Sequence, residues 1–145
     1  RKPSTMDSRP GAIQRLFEDY ETVERDYYAE TSIFPIMHTV VIRRDVYDAH
    51  RWVAQAMYKA FVEAKRRAWE NYFETAAMKY MLPWMVAHVE NTMETFGRDW
   101  WQYGFAENKE TLEVFLRYHH EQGLSDRQLS PEELFAPECL ESFVI

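Results

Sequence analysis

The run Ile33-Phe34-Pro35-Ile36-Met37-His38-Thr39-Val40-Val41-Ile42-Arg43-Arg44 constrains this chain more than any other stretch. It alone reads as a β-strand in a sequence otherwise written for helices, and a histidine sits within its apolar residues. Val40, Val41 and Ile42 are consecutive and β-branched, which suits a strand covered on both faces, as in a parallel or mixed sheet. Pro35 disfavours helix in the residue before it and favours an extended entry. One strand cannot complete a sheet, because its backbone donors and acceptors need partners, and no second convincing candidate is present. The sequence also starts at Arg1, in a polar stretch, with no initiator methionine. Both features lead to the expectation that these residues are the C-terminal part of a larger protein, whose missing N-terminal part supplies the sheet partners.

Hydrophobic residues make up 46% and aromatic residues 16% of the chain, which argues against disorder. Its 145 residues are the length of one ordinary domain. Seventeen basic against 24 acidic residues leave a formal charge of −7. A nucleic acid or an anionic membrane needs a concentrated basic face, so neither partner is expected. Lys65-Arg66-Arg67 is the one basic cluster, and with Glu63 and Glu70 in the same helical pattern it reads as a solvated helix face. No apolar run reaches the ~20 residues that cross a bilayer. Cys139 is the sole cysteine, so no internal disulfide can form, and a free thiol fits a reducing compartment. No Cys/His spacing matches a zinc site, and no metal site is expected.

Residues 1–11 hold Pro3, Pro10 and Gly11 and read as loop. Helix is predicted over 12–30, with Leu16, Phe17, Tyr20, Val23, Tyr27 and Tyr28 inward. Asp45 looks like the N-cap of a short turn over 46–50. The strongest helical period follows, with Trp52, Val53, Ala56, Met57, Ala60, Phe61, Ala64, Ala68, Trp69, Tyr72 and Phe73 tracing an apolar stripe. A second helix is predicted over 74–81. A third has Pro83 in its first turn, runs to Phe96 and is stopped by Gly97. Residues 99–105 read as an aromatic loop. Asn108 can cap a fourth helix that carries Leu112, Phe115, Leu116 and His119 on one side and ends at Gly123. Ser130-Pro131-Glu132-Glu133 is a capping box, and residues 139–145 form an apolar tail expected to dock.

His38 is the first candidate for chemistry. A neutral imidazole in a buried strand needs partners for both ring nitrogens, and near neutral pH it can give or take a proton. Spacing alone favours a core histidine bonded to a backbone carbonyl. Arg43 and Arg44 end the strand. A guanidinium can hold a carboxylate by two parallel hydrogen bonds, but neighbouring strand residues face opposite ways, so at most one could serve a cleft. Solvation, or pairing with Asp45 and Asp48, accounts for both more simply. Arg1-Lys2-Pro3-Ser4-Thr5 offers cations and hydroxyls for an anion, although chain ends are disordered by default. His119-His120 is not spaced as a helical metal pair, which requires i,i+4, and His88 with Glu90 fails similarly. Trp100, Trp101 and Tyr103 could line a pocket for an aromatic ligand, with helix packing the commoner role for such residues. Phosphate loops, nucleophile elbows and HExxH motifs are absent from the sequence.

Tyr27-Tyr28 followed by the run from Thr31 to Tyr47 resembles the C-terminal portion of the 4,5-dihydroxyphthalate decarboxylase family. So do His50-Arg51-Trp52-Val53-Ala54, Tyr80-Met81-Leu82-Pro83-Trp84, the stretch from Leu116 to Leu124 and the stretch from Leu129 to Glu138. Arg51 departs from the family pattern, which has proline after the histidine. The resemblance implies an α/β architecture: the C-terminal portion of a two-lobed, type II periplasmic-binding-protein-like fold. Residues 1–43 would be the end of the second lobe and a returning hinge strand at about 36–43, and residues 44–145 would be helices packing on the first lobe. It implies a carbon–carbon lyase that removes one carboxylate from 4,5-dihydroxyphthalate, a small aromatic dicarboxylate, or from a related aromatic acid, to give protocatechuate and carbon dioxide. These residues themselves indicate no metal or organic cofactor, and a metal held by the N-terminal part stays open. In that setting His38 becomes the proton donor, and Arg1, Ser4, Thr39 and Arg43 become substrate-binding residues. The rival with the same fold is a solute-binding protein feeding a transporter. An export signal in the full gene would place the protein in the periplasm, and its absence in the cytoplasm.

Overall fold

The structure, a computed structural model, describes residues 4–9 and 11–141. It divides into two compact units, Arg1–Ile33 and Phe34–Ile145.

In the first unit a single helical turn, α1 (Thr5–Ser8), occupies part of the expected loop. The next helix, α2 (Tyr20–Thr31), starts later than residue 12. Its start is chemical rather than periodic, because the Asp19 carboxylate accepts the Thr22 N–H at 3.4 Å and caps the first turn. Ser32, at φ 56°, stops it and donates its N–H to the Tyr28 carbonyl. No residue of α2 is buried, and Leu16 and Phe17, expected to point inward, are exposed.

The second unit opens on residues 34–43, and here the α/β expectation fails. These residues form neither helix nor strand, and the described residues contain no β-strand or bridge, so the architecture observed is helical. The proposed hinge strand at 36–43 is therefore irregular chain. A helix closes its hydrogen bonds within its own segment, whereas a strand exists only by pairing with another. The β-branched run finds no such partner among the described residues, and Val41 is 87% exposed. Only the ends of the stretch are held. Phe34 packs edge-on against Phe96 and Trp101, with ring centroids 5.4 and 5.6 Å away. At the other end Arg43 is the N-cap of α3 (Arg44–Ala49), so Asp45 lies inside the first turn instead of capping it.

Helix α4 spans Trp52–Phe73, as its period predicts. Its inward face is rotated from the expected stripe. Ala54 is buried, and Tyr58, Val62, Lys65, Trp69 and Tyr72 continue that face half-buried, whereas Trp52 is 69% exposed and Met57 and Phe61 also face solvent. The neighbours of α4 are α3, α5 and the 3₁₀ turn Pro137–Cys139. They cover one of two apolar faces, and periodicity cannot choose between them.

The expected helix over 74–81 is absent. Glu74 ends α4 and turns its carboxylate back to accept the N–H groups of Ala76 (2.9 Å) and Ala77 (3.2 Å). Helix α5 (Met85–Phe96) follows Trp84, whose φ of 63° is a strained setting for a bulky residue. Gly97 ends it at φ 79°. Helix α6 (Phe105–Glu121) begins before Asn108. The Asn108 amide instead reaches back from inside the helix, donating to the carbonyls of Gly104 (2.8 Å) and Gln102 (3.2 Å). Gly104 sits at φ 119°, and a Cβ there would meet the Tyr58 hydroxyl at 2.5 Å. At the far end Leu124 and Gly123 donate to the carbonyls of His119 (3.0 Å) and His120 (2.9 Å), the paired bonds of a Schellman stop.

Met85 and Val89 on α5, Leu112 and Leu116 on α6, and Ala54 are the buried hydrophobic side chains of the described residues, and Pro131 is buried with them. Phe115, expected to share the α6 core face, is exposed. The capping box at Ser130 forms, with Glu133 accepting the Ser130 N–H at 2.8 Å, and starts a 3₁₀ turn, Pro131–Leu134, against α6. Docking of the apolar tail falls partly on residues 142–145, which lie outside the described residues.

Candidate functional site

Of the five residues that sequence reasoning singled out, four are described, and they separate into two groups. His38, Thr39 and Arg43 share the irregular stretch 34–43, and all three are exposed. Ser4, also exposed, belongs to the first unit. Arg1 lies outside the described residues. His38 is thus neither a strand residue nor a core histidine. Arg43 is engaged locally: its Nε and Nη2 donate to the two carboxylate oxygens of Asp45 at 3.0 and 2.5 Å. That guanidinium holds the Asp45 carboxyl below its ordinary range. The pairing with Asp45 suggested by sequence is therefore the one observed.

Concavity lies elsewhere, where α4, α5 and residues 98–104 meet. A cavity of about 420 Å³ has Tyr72, Tyr80 and Trp100 as aromatic walls and the buried Met85 and Val89 as its base. Leu82, His88 and Thr92 complete its lining. The Tyr72 and Tyr80 rings stack at 5.3 Å, and Trp100 stands edge-on to Tyr72 at 6.0 Å. Trp100 also lies 4.0 Å from Trp69, tilted by 39°. A second cavity of about 270 Å³ shares Tyr72 and Trp100 with the first and adds Lys65, Trp69, Trp101 and Tyr103. Neither cavity is lined by His38, Thr39 or Arg43.

Lys65 departs from the solvated-face expectation. Its side chain is 15% exposed, its ammonium bonds Asp99 at 2.5 Å, and it lies over the rings of Trp69 (5.5 Å) and Tyr103 (5.2 Å). Aromatic faces attract a cation by their quadrupole, so the contact ties residues 99–103 to α4. Arg66 and Arg67 keep the expected role, exposed and paired with Glu63 and, for Arg66, Glu70. The signal that finds these two adjoining cavities is Trp69 and Tyr72, one helical turn apart, together with the density of Trp100, Trp101 and Tyr103. Spacing alone cannot show that Tyr80 and His88 join them.

Other titratable groups serve packing. The Tyr47 hydroxyl donates to Glu138 at 2.7 Å, and Arg51 lies 3.7 Å from the same carboxylate. This bond lowers the pKa of Glu138 and raises that of Tyr47. Burial pushes the Cys139 thiol up, which makes it a poor nucleophile. His120 Nδ1 lies 3.2 Å from the Ser125 carbonyl, while His119 Nδ1 is enclosed with no partner, so the two imidazoles face different surroundings. Among the described residues no group of three His, Cys, Asp or Glu side chains is placed to hold a metal ion. No described helix is long and apolar enough to cross a membrane.

No family model matches the chain. A curated 4,5-dihydroxyphthalate decarboxylase from Comamonas testosteroni is 39% identical over 145 residues, covering 100% of this chain and 44% of that relative. The chain thus spans less than half the length of the curated relative it matches. Over its whole length the chain is thus similar to a 4,5-dihydroxyphthalate decarboxylase, the kind of protein its motifs resemble.

Proposed function

We propose that the protein carrying this chain is a decarboxylase that converts 4,5-dihydroxyphthalate, or a related aromatic acid, to protocatechuate and carbon dioxide. The observation that carries this reading is the 39% identity sustained across all 145 residues with a relative of that name. In the reaction a proton adds to the ring carbon bearing the departing carboxylate. The bond from that carbon to the carboxylate then breaks, its electron pair restores the aromatic ring, and carbon dioxide leaves. Electron release from the para hydroxyl assists protonation. The step needs an acid positioned at the ring carbon and a cation on the carboxylate that stays.

We assign proton delivery to His38, whose exposure leaves the imidazole accessible to a bound ring. Thr39 beside it can hydrogen-bond a substrate oxygen. Arg43 is a candidate for the retained carboxylate, and in that role it exchanges Asp45 for substrate, one carboxylate for another with the same fork geometry. Arg1 and Ser4 complete the proposed set. The test is incubation of the full-length protein with 4,5-dihydroxyphthalate while carbon dioxide and protocatechuate are followed together. Equimolar release of both is the expected outcome; binding of the dicarboxylate without turnover would overturn the proposal in favour of a solute-binding role.

A further inference from the structure

The 420 Å³ cavity has the wrong chemistry for a dicarboxylate and the right chemistry for something else. None of its lining residues is Lys or Arg, and the His88 imidazole is the one basic side chain among them. A dicarboxylate taken from water into such a setting finds no permanent counter-charge and is disfavoured. The adjoining cavity does contain a cation, but Lys65 is already matched by Asp99 at 2.5 Å. A carboxylate arriving there would meet the Asp99 anion as well as the ammonium. Lys65 also differs from Arg43 in being 15% rather than 80% exposed and in lying over two rings, so its pairing is the less exchangeable of the two.

What the larger cavity offers is ring surface. Tyr72 and Tyr80 are stacked, Trp100 is edge-on to Tyr72, and all three rings line the same space. Aromatic pairs favour these two arrangements, with centroids about 4.5–7 Å apart. The Met85 thioether at the base adds a polarizable contact of the kind sulfur makes with rings. Polar groups are few. The Thr92 hydroxyl donates to the His88 carbonyl at 2.7 Å, which leaves its oxygen lone pairs as acceptors. An acceptor beside an apolar, ring-lined space suits a ligand with one hydroxyl donor.

We infer that the cavity between α4, α5 and residues 98–104 is a binding site for a small uncharged planar aromatic molecule of the phenol class, distinct from the stretch that carries His38. The test uses the full-length protein with phenol and benzoate as probes, titrated by calorimetry. Phenol is expected to bind, and benzoate, the same ring with a carboxylate, to bind at least tenfold more weakly. Leu82→Trp and Thr92→Phe each fill the cavity from its lining. Each is expected to weaken phenol at least tenfold while thermal melting and carbon dioxide release stay as in the parent. Two cavity-filling positions keep the test usable if one variant fails to fold. Absence of phenol binding, equal binding of benzoate, or phenol binding untouched by both substitutions would each overturn the inference. Because binding is read without turnover, a protein that binds phenol but does not decarboxylate leaves this site standing and removes only the proposed reaction.

Discussion

Residues 34–43 and helix α4 are both rich in apolar side chains, and both announce themselves in the sequence, yet they end differently. Helix α4 forms with the bounds its period predicts, Trp52–Phe73. The 34–43 stretch, with three consecutive β-branched residues, forms no strand. The difference lies in where each finds its hydrogen bonds. Every interior N–H of a helix bonds four residues back in the same segment, so the pattern and the structure share one address. A strand's donors and acceptors are satisfied by another segment, and nothing in the local sequence guarantees that segment. What the stretch retains is anchorage at Phe34 and at Ile42-Arg43, with exposed side chains from Pro35 to Val41 between.

The largest effect expected from this contrast is on the helical side. Leu116 is 4% exposed in the α6 core, and Leu116→Ala should destabilise the fold by about 2–5 kcal/mol in denaturant titration. A cost under about 1 kcal/mol would show that the burial of Leu116 does not carry the core. Next comes His38→Gln in the full-length protein. If the stretch is the working part of the molecule, turnover should fall about 10²-fold with thermal melting unchanged, because the side chain is exposed. Unchanged turnover would remove the imidazole from the reaction and leave the stretch with no assigned task.

A smaller effect is pH-dependent and belongs to the turn that packs on α6. Arg127 pairs with Glu133 at 2.6 Å and holds that carboxyl at about 2, below its usual 4.5. A group with a depressed folded-state pKa contributes stability above its unfolded value and loses it as pH falls through the folded one. Melting temperatures of the parent and of Glu133→Gln should therefore differ above pH 4.5 and converge as pH approaches 2. Glutamine keeps the capping function and removes the charge, so a constant gap across that window would show that the ion pair adds nothing. The smallest effect is expected at Val41, where Val41→Ser should shift stability by no more than about 0.5 kcal/mol. A cost of several times that would mean the stretch is covered by packing in the intact protein, and the contrast with α4 would break.

Legibility followed the range of the interactions involved. The stop at Gly123, the capping box at Ser130 and the bounds of α4 depend on residues a few positions apart, and each was readable. The inward face of α4 was not, because Trp52, Met57 and Phe61 make a stripe as apolar as the one that packs, and only the positions of α3, α5 and the 137–139 turn decide between them. The helix expected at 74–81 does not form, even though the Glu74 carboxylate accepts the N–H groups of Ala76 and Ala77 as an N-cap would, so a local cap and a short apolar pattern did not suffice. The candidate site divides in the same way. His38, Thr39 and Arg43 were named from one contiguous stretch, and the aromatic cavity draws Tyr72, Tyr80, His88 and Trp100 from separate segments. Pairing of Arg43 with Asp45, two residues on, was legible; burial of Lys65 under rings from residue 103 was not.

The closeness of Trp69 and Trp100 has an optical consequence. Indoles whose ring centroids are 4.0 Å apart and tilted by 39° share their electronic excitation, and such a chirally disposed couple gives a paired positive and negative band in circular dichroism. Departure of residues 98–104 from α4 would erase that doublet while the helical signal persisted. The protein therefore carries a built-in spectroscopic gauge of this one junction, readable without any added label.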